Sequence, residues 1–270
     1  MDDERFEGTP PGAENLTIRV LPCIHEAEAD QWDLCAGLNA PDHNPFVRHA
    51  FFSALEDSGS TNAETGWHPQ HVVIEDDQGA MLACAPLYLK GHSYGEYVFD
   101  WGWADAYERA GGRYYPKLQC AVPFTPATGP RLMVRPGLDG ELAADLRRGL
   151  LSGMVELAQR LKVSSLHITF PTAEEYGLMT DAGFLARLGE QFHWRNQGYQ
   201  TFDDFLDALS SRKRKSIRKE REKANASGVR IRALTGDDIK THHWDAFYRF
   251  YMNTSDRKWG QAYLTRSFFD

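Results

Sequence analysis

A carboxylate among aromatic residues is the first group in this sequence that could do chemistry. Asp100 stands at the end of a predicted strand and is followed by Trp101, Trp103 and Tyr107. Burial beside indole rings would raise the pKa of such a carboxylate and suit it to take a proton from an attacking amine. Alternatively, the two tryptophans cover the core and Asp100 caps the turn that follows. The site interpretation makes Asp100 a catalytic base and the three aromatic residues substrate contacts.

A loop rich in proline lies between residues 114 and 131 and carries polar groups that suit an anion. Its prolines preset the backbone and reduce the entropy lost on binding. Thr hydroxyls together with Lys and Arg can hold a phosphate or a carboxylate. The alternative is a rigid connector that crosses the sheet. The predicted substrate contacts are Lys117, Thr125, Thr128 and Arg131.

A basic helix is predicted over residues 211–226, where the chain departs from its acidic average. Residues 212–223 carry a local charge of +6, whereas the whole chain carries −8. At about 100° per residue, Arg214 and Arg218 flank the apolar seam at Ile217, and Lys215 and Lys219 point away from it. We predict that Arg214 and Arg218 grip a phosphate. The alternative is a purely solvated helix.

The histidines and cysteines predict neither a metal site nor a nucleophile. The four cysteines are scattered, and no histidine has partners at metal-ligand spacing. His193 and Asn196 follow a predicted domain junction and are predicted to contact substrate in a cleft between domains. The neighbouring Trp194 is equally consistent with interdomain core.

Composition and charge limit the classes of protein to which this sequence can belong. The sequence has 42% hydrophobic residues, enough for a sizeable core, and contains no apolar run of the ~20 residues that span a membrane. Its acidic balance argues against indiscriminate nucleic-acid binding. The acidic start, residues 1–15, lacks the features of a signal peptide, so we predict a disordered tail there and a cytoplasmic location.

Periodicity predicts an alternation of strands and helices along the rest of the chain. Predicted strands cover residues 16–21, 67–75, 80–89, 96–101, 130–134, 165–170, 184–188 and 229–234. Predicted helices cover residues 27–38, a segment that opens at 44–45, 142–161 and 173–181, besides the basic helix.

Seven strings and this order of elements resemble a bacterial family of predicted N-acyltransferases, related to the Fem-type peptidoglycan aminoacyltransferases of the GNAT superfamily. The strings are HNPF (43–46), WHPQH (67–71), YVFDW (97–101), YYPKL (114–118), PFTPATGPR (123–131), QFHWRN (191–196) and RKWG (257–260). The sequence departs from ordinary GNAT enzymes because it has no Arg/Gln-x-x-Gly-x-Gly/Ala loop to cradle a CoA pyrophosphate.

The resemblance implies an α+β fold of tandem GNAT-like domains, with a mixed, largely antiparallel sheet and flanking helices. We predict a first domain over 16–190 and the start of a second, truncated one over 191–270. The implied activity is acyl or aminoacyl transfer to an amino group of a small molecule or peptide, such as a peptidoglycan precursor. No permanently bound cofactor is implied; the co-substrate is acyl-CoA or aminoacyl-tRNA, and the basic helix would contact the tRNA. The alternative is a non-catalytic module that binds a cell-wall precursor or another phosphorylated ligand.

Overall fold

The computed structural model describes residues 16–41, 43–226, 228–258 and 260–270, and these residues form a mixed α+β structure, as predicted. By contacts the chain divides into two units. One contains the described residues up to Ala186 together with Phe247–Asp270, and the other is Arg187–Ala246. The predicted boundary near residue 191 and the tandem arrangement remain predictions.

The first unit contains all the strands assigned in the described residues. They are β1 (Thr17–Leu21), β2 (Trp67–Pro69), β3 (His71–Glu75), β4 (Met81–Ala85), β5 (Leu87–Lys90), β6 (Lys117–Cys120), β7 (Met133–Val134) and β8 (Leu166–Ile168). They form two four-stranded sheets, with the orders β1-β3-β4-β7 and β2-β5-β6-β8. Every pairing is antiparallel except that of β6 with β8.

Each of the two longest predicted strands is divided between the two sheets. The run 67–75 breaks at Gln70, and the run 80–89 breaks at Pro86, which has no N–H to donate to a ladder. At the break, the Gln70 N–H donates to the carbonyl of Leu87 at 2.8 Å, and the Leu87 N–H donates to Nδ1 of His71 at 3.3 Å. The strands on either side of this point therefore belong to different sheets.

Helices cover both faces of the first sheet. The helices of the first unit include α1 (Ala29–Cys35), α2 (His49–Asp57), α3 (Trp101–Arg109), α4 (Gly140–Leu161) and α5 (Ala173–Asp181). Val72 and Ile74 of β3 pack in a core that includes Leu150 and Met154 of α4. Val73 points to the opposite face and packs in a second core around Trp32 of α1. This alternation is the period of two expected of a strand buried on both faces.

The region 187–246 contains two complete helices, α6 (Phe202–Asp207) and α7 (Ser211–Asn225), and α8 (Thr241–Arg257) begins in it. The basic helix was predicted within one residue of the observed α7. No helix in the described part of the chain combines the length and the apolar character that crossing a bilayer requires.

Several predicted elements were wrong or displaced. Residues 96–101 form no strand, because the acidic side chains of this segment turn inward to an ammonium group and Tyr97 takes a left-handed backbone conformation, with φ 56°. Residues 184–188 and 229–234 also form no strand, since no described strand pairs with them. The helix predicted at 44–45 begins as a 3-10 turn, Pro45–Val47, before α2. Strand β6 and helix α3 were not predicted.

Candidate functional site

One face of the second sheet is polar although it is buried. Leu87 and Leu118 point into the apolar core of the first unit. Their neighbours in sequence alternate to the opposite face, where Lys90 lies directly across from Lys117 and Tyr88 lies across from Gln119. We call this surface the polar face; its residues are Trp67, Tyr88, Lys90, Lys117, Gln119 and His167.

The ammonium group of Lys117 organises this face. Nζ donates to Ser93 Oγ at 2.9 Å, Glu96 Oε2 at 2.8 Å and Asp100 Oδ2 at 2.6 Å. An ammonium has three N–H groups, so these three bonds satisfy it completely. Lys117 is fully buried, as is Asp100, and Glu96 is 3% exposed. The substrate contact predicted for Lys117 is therefore replaced in this structure by bonds to the 91–100 segment.

Asp100 is ionised and serves as a ligand of Lys117. Burial raises the pKa of Asp100, but hydrogen bonds from Lys117, Ser93 and Tyr114 and the Lys117 charge bring that pKa below its usual value. The Tyr114 hydroxyl donates to Oδ2 at 2.8 Å. The raised pKa expected from sequence was therefore wrong, because the counter-ion was not foreseen.

Asp100 is also not the turn cap that the alternative interpretation expected. It occupies the N-cap position of α3, but its side chain accepts no hydrogen bond from the helix. Trp101 and Trp103 are 44% and 60% exposed, so they do not form an apolar wall around the carboxylate. Tyr107, on the same helix, is 46% exposed and lies against Gly112, where a Cβ would meet the Tyr107 ring at 2.3 Å.

Lys90 is a second buried amine, and sequence reasoning did not select it. Its Nζ lies 3.5 Å from the centroid of the Trp67 ring, donates to the carbonyl of Tyr94 at 3.3 Å and is 4.0 Å from Glu96 Oε1. Burial and the charge of Lys117 outweigh the attraction of the two carboxylates and lower the pKa of Lys90 to about 6. At neutral pH this amine is therefore uncharged, which relieves the repulsion between two lysines placed directly opposite each other.

Four buried polar atoms on or beside this face have no hydrogen-bond partner among the described residues. They are Tyr88 Oη, Gln119 Oε1, Glu96 Oε1 and Asp100 Oδ1. Leaving such an atom unpaired costs about 1–3 kcal/mol. Clusters that accept this cost and also shift pKa values are concentrated at functional sites. These observations make the polar face the candidate site.

His167 stands at the edge of the polar face. It is paired in register with Gln119, and its Nδ1 is 4.0 Å from Asp100 Oδ2. Nε2 lies 2.9 Å from Ser165 Oγ, and the side chain is 23% exposed. His167 lies within the predicted strand 165–170 but was not selected as a site residue. The alternation of Leu166, His167 and Ile168 is the signal that could have identified it.

The predicted anion loop is organised around Arg131 in a different way. Arg131 is fully buried, and its guanidinium donates to the carbonyls of Thr169, Gly129, Pro130 and Ala127 at 2.9–3.1 Å. It thus holds the loop backbone, and its predicted role as an anion contact gains no support from this geometry. Thr125 is half-buried and Thr128 is exposed, so both remain predictions as substrate contacts.

The predicted contacts in the second unit, His193 and Asn196, make local bonds within that unit. His193 is exposed and bonds to Gln191 Oε1 at 3.1 Å, and Asn196 Oδ1 accepts from the N–H groups of Gly198 and Tyr199 in a turn. Asn196 also lines an open depression of about 480 Å³. The other lining residues are Trp194, Tyr199, Gln200, Thr201, Phe202 and Phe205.

Arg214 and Arg218 of α7 face α6. They lie on the side of the helix that carries the apolar seam at Ile217, as predicted from the helical spacing. Arg214 Nη1 is 3.1 Å from Asp207 Oδ1, and Arg218 Nη2 is 3.6 Å from Asp203 Oδ1. Lys215 and Lys219 are exposed. Arg214 and Arg218 thus already have carboxylate partners, whereas the exposed Lys215 and Lys219 form no ion pair among the described residues.

The described residues contain no cluster of three or more His, Cys, Asp or Glu side chains arranged to hold a metal ion.

Comparison with known proteins gives a family and several distant structural likenesses. The FemAB-like family model, described as peptidoglycan biosynthesis/recognition, matches residues 23–270. No curated protein matches the sequence.

Three similar solved structures are acetyltransferases. An acetyltransferase of Trypanosoma brucei has 15% identity, covers 67% of this chain and 100% of its own, and gives a TM-score of 0.40. Glucosamine-6-phosphate N-acetyltransferase from Arabidopsis thaliana has 11% identity, 68% and 100% coverage, and a TM-score of 0.39. Aminoglycoside 6'-N-acetyltransferase AAC(6')-Ih from Acinetobacter baumannii has 12% identity, 68% and 100% coverage, and a TM-score of 0.38.

Lys90→Met is expected to remove a pH dependence of folding stability. The pKa of Lys90 is about 6 in the folded protein, whereas that of an unfolded lysine is about 10.4. Between these values the unfolded chain binds one more proton, so the free energy of unfolding of the wild type rises with pH relative to that of the variant. Urea titrations between about pH 6.5 and about pH 9.5 measure the difference.

Lys213→Met, at an exposed position of α7, is the matched control and should leave the slope unchanged. A constant difference between wild type and Lys90→Met across this range would mean that Lys90 is charged in the folded protein.

Proposed function

We propose that this protein, which belongs to the FemAB-like family, is an acyl- or aminoacyl-transferase that acts on an amino group. The family match over residues 23–270 is the observation that carries this proposal. The polar face supports it, because acylation of an amine releases a proton and develops charge, and positioned acid–base and charged groups can accept that proton and stabilise that charge. An amine of a peptidoglycan precursor, or a related amine in the cytoplasm, is the proposed acceptor.

The reaction requires a neutral amine and a path for its proton. The amine nitrogen forms a bond to the acyl carbon, and the C–S bond of an acyl-CoA or the C–O bond of an aminoacyl ester breaks. The nitrogen loses one proton in this step, and the leaving thiolate or alkoxide gains one. A cluster that contains two carboxylates, one ammonium and one neutral amine can stabilise the charge that develops on the way.

Asp100 is the proposed anionic centre of this cluster. It is ionised, and its Oδ1 has no hydrogen-bond partner among the described residues. The low pKa makes Asp100 itself a weak base, so its contribution is the negative charge and the geometry it imposes.

Asp100→Asn is expected to lower transfer activity about 10²-fold or more per folded molecule. It should also lower the melting temperature, because Lys117 loses one of its two carboxylate partners in a buried cluster. The measurement is product formation with wild type and variant, using a panel of acyl-CoAs and charged tRNAs with peptidoglycan-precursor amines.

Asp105→Asn is the control, since Asp105 lies on the same helix but is exposed and pairs only with Arg109 among the described ion pairs. Undiminished turnover in Asp100→Asn would remove Asp100 from the site. Saturable binding of a precursor by the wild type, with no product from any donor, would favour the binding module over the transferase.

If the donor is an aminoacyl-tRNA, α7 is the proposed contact with the nucleic acid. Because Arg214 and Arg218 pair with carboxylates of α6, Lys215 and Lys219 are the groups best placed to meet phosphates. This reverses the order of importance that the sequence predicted for the four residues.

Replacing Lys215 and Lys219 by Gln is expected to weaken tRNA binding and to reduce the salt slope by up to about 2, because each lost phosphate contact removes counter-ion release. Replacing Arg214 and Arg218 by Gln should do less. Filter binding over a range of salt concentrations measures both pairs. A larger effect of the arginine pair would restore the original assignment, and no effect of either pair would exclude α7 as the contact.

A further inference from the structure

We infer that His167 takes the proton from the attacking amine. Asp100 is a positioning residue, which orients the imidazole from its Nδ1 side. This inference rests on the proposed function and assigns the proton transfer to a residue of the same site.

Asp100 and His167 differ in how accessible they are to a substrate from solvent. Asp100 has no exposed surface, and Lys117 and Tyr114 occupy its Oδ2 from within the protein. His167 is 23% exposed at its side chain while its ring reaches to 4.0 Å from the same oxygen. A substrate that arrives from solvent can therefore meet the imidazole without displacing the Lys117 cluster.

The two nitrogens of His167 face different partners, and this defines their roles. Nδ1 faces Asp100, whose Oδ1 has no hydrogen-bond partner among the described residues and whose Oδ2 already accepts two bonds. A carboxylate in this position favours the tautomer with the proton on Nδ1. Nε2 then carries the lone pair, and the Ser165 hydroxyl, at 2.9 Å, donates to it in the resting protein.

Carboxylates are the acidic groups that lie nearest to His167. From the 91–100 segment come the carboxylates of Asp100 and Glu96, both bonded to Lys117 of β6. Gln119 is the neutral partner of His167 in register, and Tyr114 presents its ring at 6.1 Å. The nearest charge to the imidazole is the ionised carboxylate of Asp100, with Oδ2 4.0 Å from Nδ1, and an opposite charge at this range attracts a cation.

Nε2 of His167 can both accept the proton of the amine and return it to the leaving group. As the amine nitrogen bonds to the acyl carbon, one N–H proton passes to Nε2 of His167 and forms an imidazolium stabilised by Asp100. The imidazolium then returns that proton to the leaving thiolate or alkoxide. Nε2 thus acts first as a general base toward the amine and then as a general acid toward the leaving group.

Two measurements test the inference, and the first does not depend on turnover. NMR titration of the imidazole of His167 should give a midpoint that falls by about one pH unit in Asp100→Asn, because an opposite charge at this range is lost. His25 and Asp57, a surface pair with 2.7 Å between Nε2 and Oδ1, provide the control: Asp100→Asn should leave the midpoint of His25 unchanged.

If Asp100→Asn does not fold, Tyr114→Phe replaces it. This variant removes one hydrogen bond from Oδ2, concentrates charge on the carboxylate and should raise the midpoint of His167. A midpoint of His167 that moves in neither variant would overturn the pairing with Asp100.

The second measurement is the pH profile of kcat/KM. His167→Gln should lower turnover by about 10²-fold to 10⁴-fold and abolish the acidic limb of the profile, whereas His25→Gln should keep both. A wild-type profile in His167→Gln would overturn the inference while leaving the proposed function intact. Absence of turnover in the wild type with every donor would instead contradict the proposed function, and the titration alone would then decide whether His167 and Asp100 are paired.

Discussion

The ion cluster at Lys117 is the interaction on which the rest of this site depends. Taking an ammonium and two carboxylates out of water is costly, and the cost is recovered only when every charge has close partners. Lys117 meets that condition with Ser93, Glu96 and Asp100. Removal of one partner from such a cluster costs about 3–5 kcal/mol, because the remaining charge is left buried and unpaired, so each member of the cluster requires the others.

The division of the sheet explains why such a cluster can exist. A continuous sheet with apolar residues on both faces would leave no room for two lysines, but the breaks at Gln70 and Pro86 separate the strands of the second sheet from those of the first. One of its faces stays in the apolar core, and the other receives the side chains of β5, β6 and β8 that carry polar groups. The fold thus places apolar packing on one face of the second sheet and the candidate site on the other.

Sequence reasoning found the elements whose signal is local. Helix α4 was predicted because its apolar residues recur at helical spacing, and α7 because its basic residues surround an apolar seam at Ile217. The segment 96–101 was wrongly predicted as a strand, because its aromatic residues have a high strand propensity. Its observed conformation depends on tertiary ion pairs, which local sequence does not show. Propensity could not reveal that Glu96 and Asp100 would share one ammonium.

The site was predicted only in separate pieces for the same reason. Asp100 and Lys117 were both selected, one as a base and one as a substrate contact, but their pairing depends on folding across 17 positions. Lys90 and His167 were not selected, because their importance comes from strand register, which places them beside Lys117 and Gln119. Period-two alternation could have identified the polar face had the strand boundaries been known.

The ionisation state of Asp100 is the most direct test of this account, because both the cluster and the proton transfer require a carboxylate. Carboxyl carbon chemical shifts of the full chain, with the Asp100 signal assigned by its loss in Asp100→Asn, give the titration directly. Because Lys117 stabilises its charge, Asp100 is predicted to stay ionised to a pH below the ordinary aspartate value of about 3.9. A pKa of Asp100 above that value would contradict it, because the carboxylate would then be governed by burial and not by Lys117.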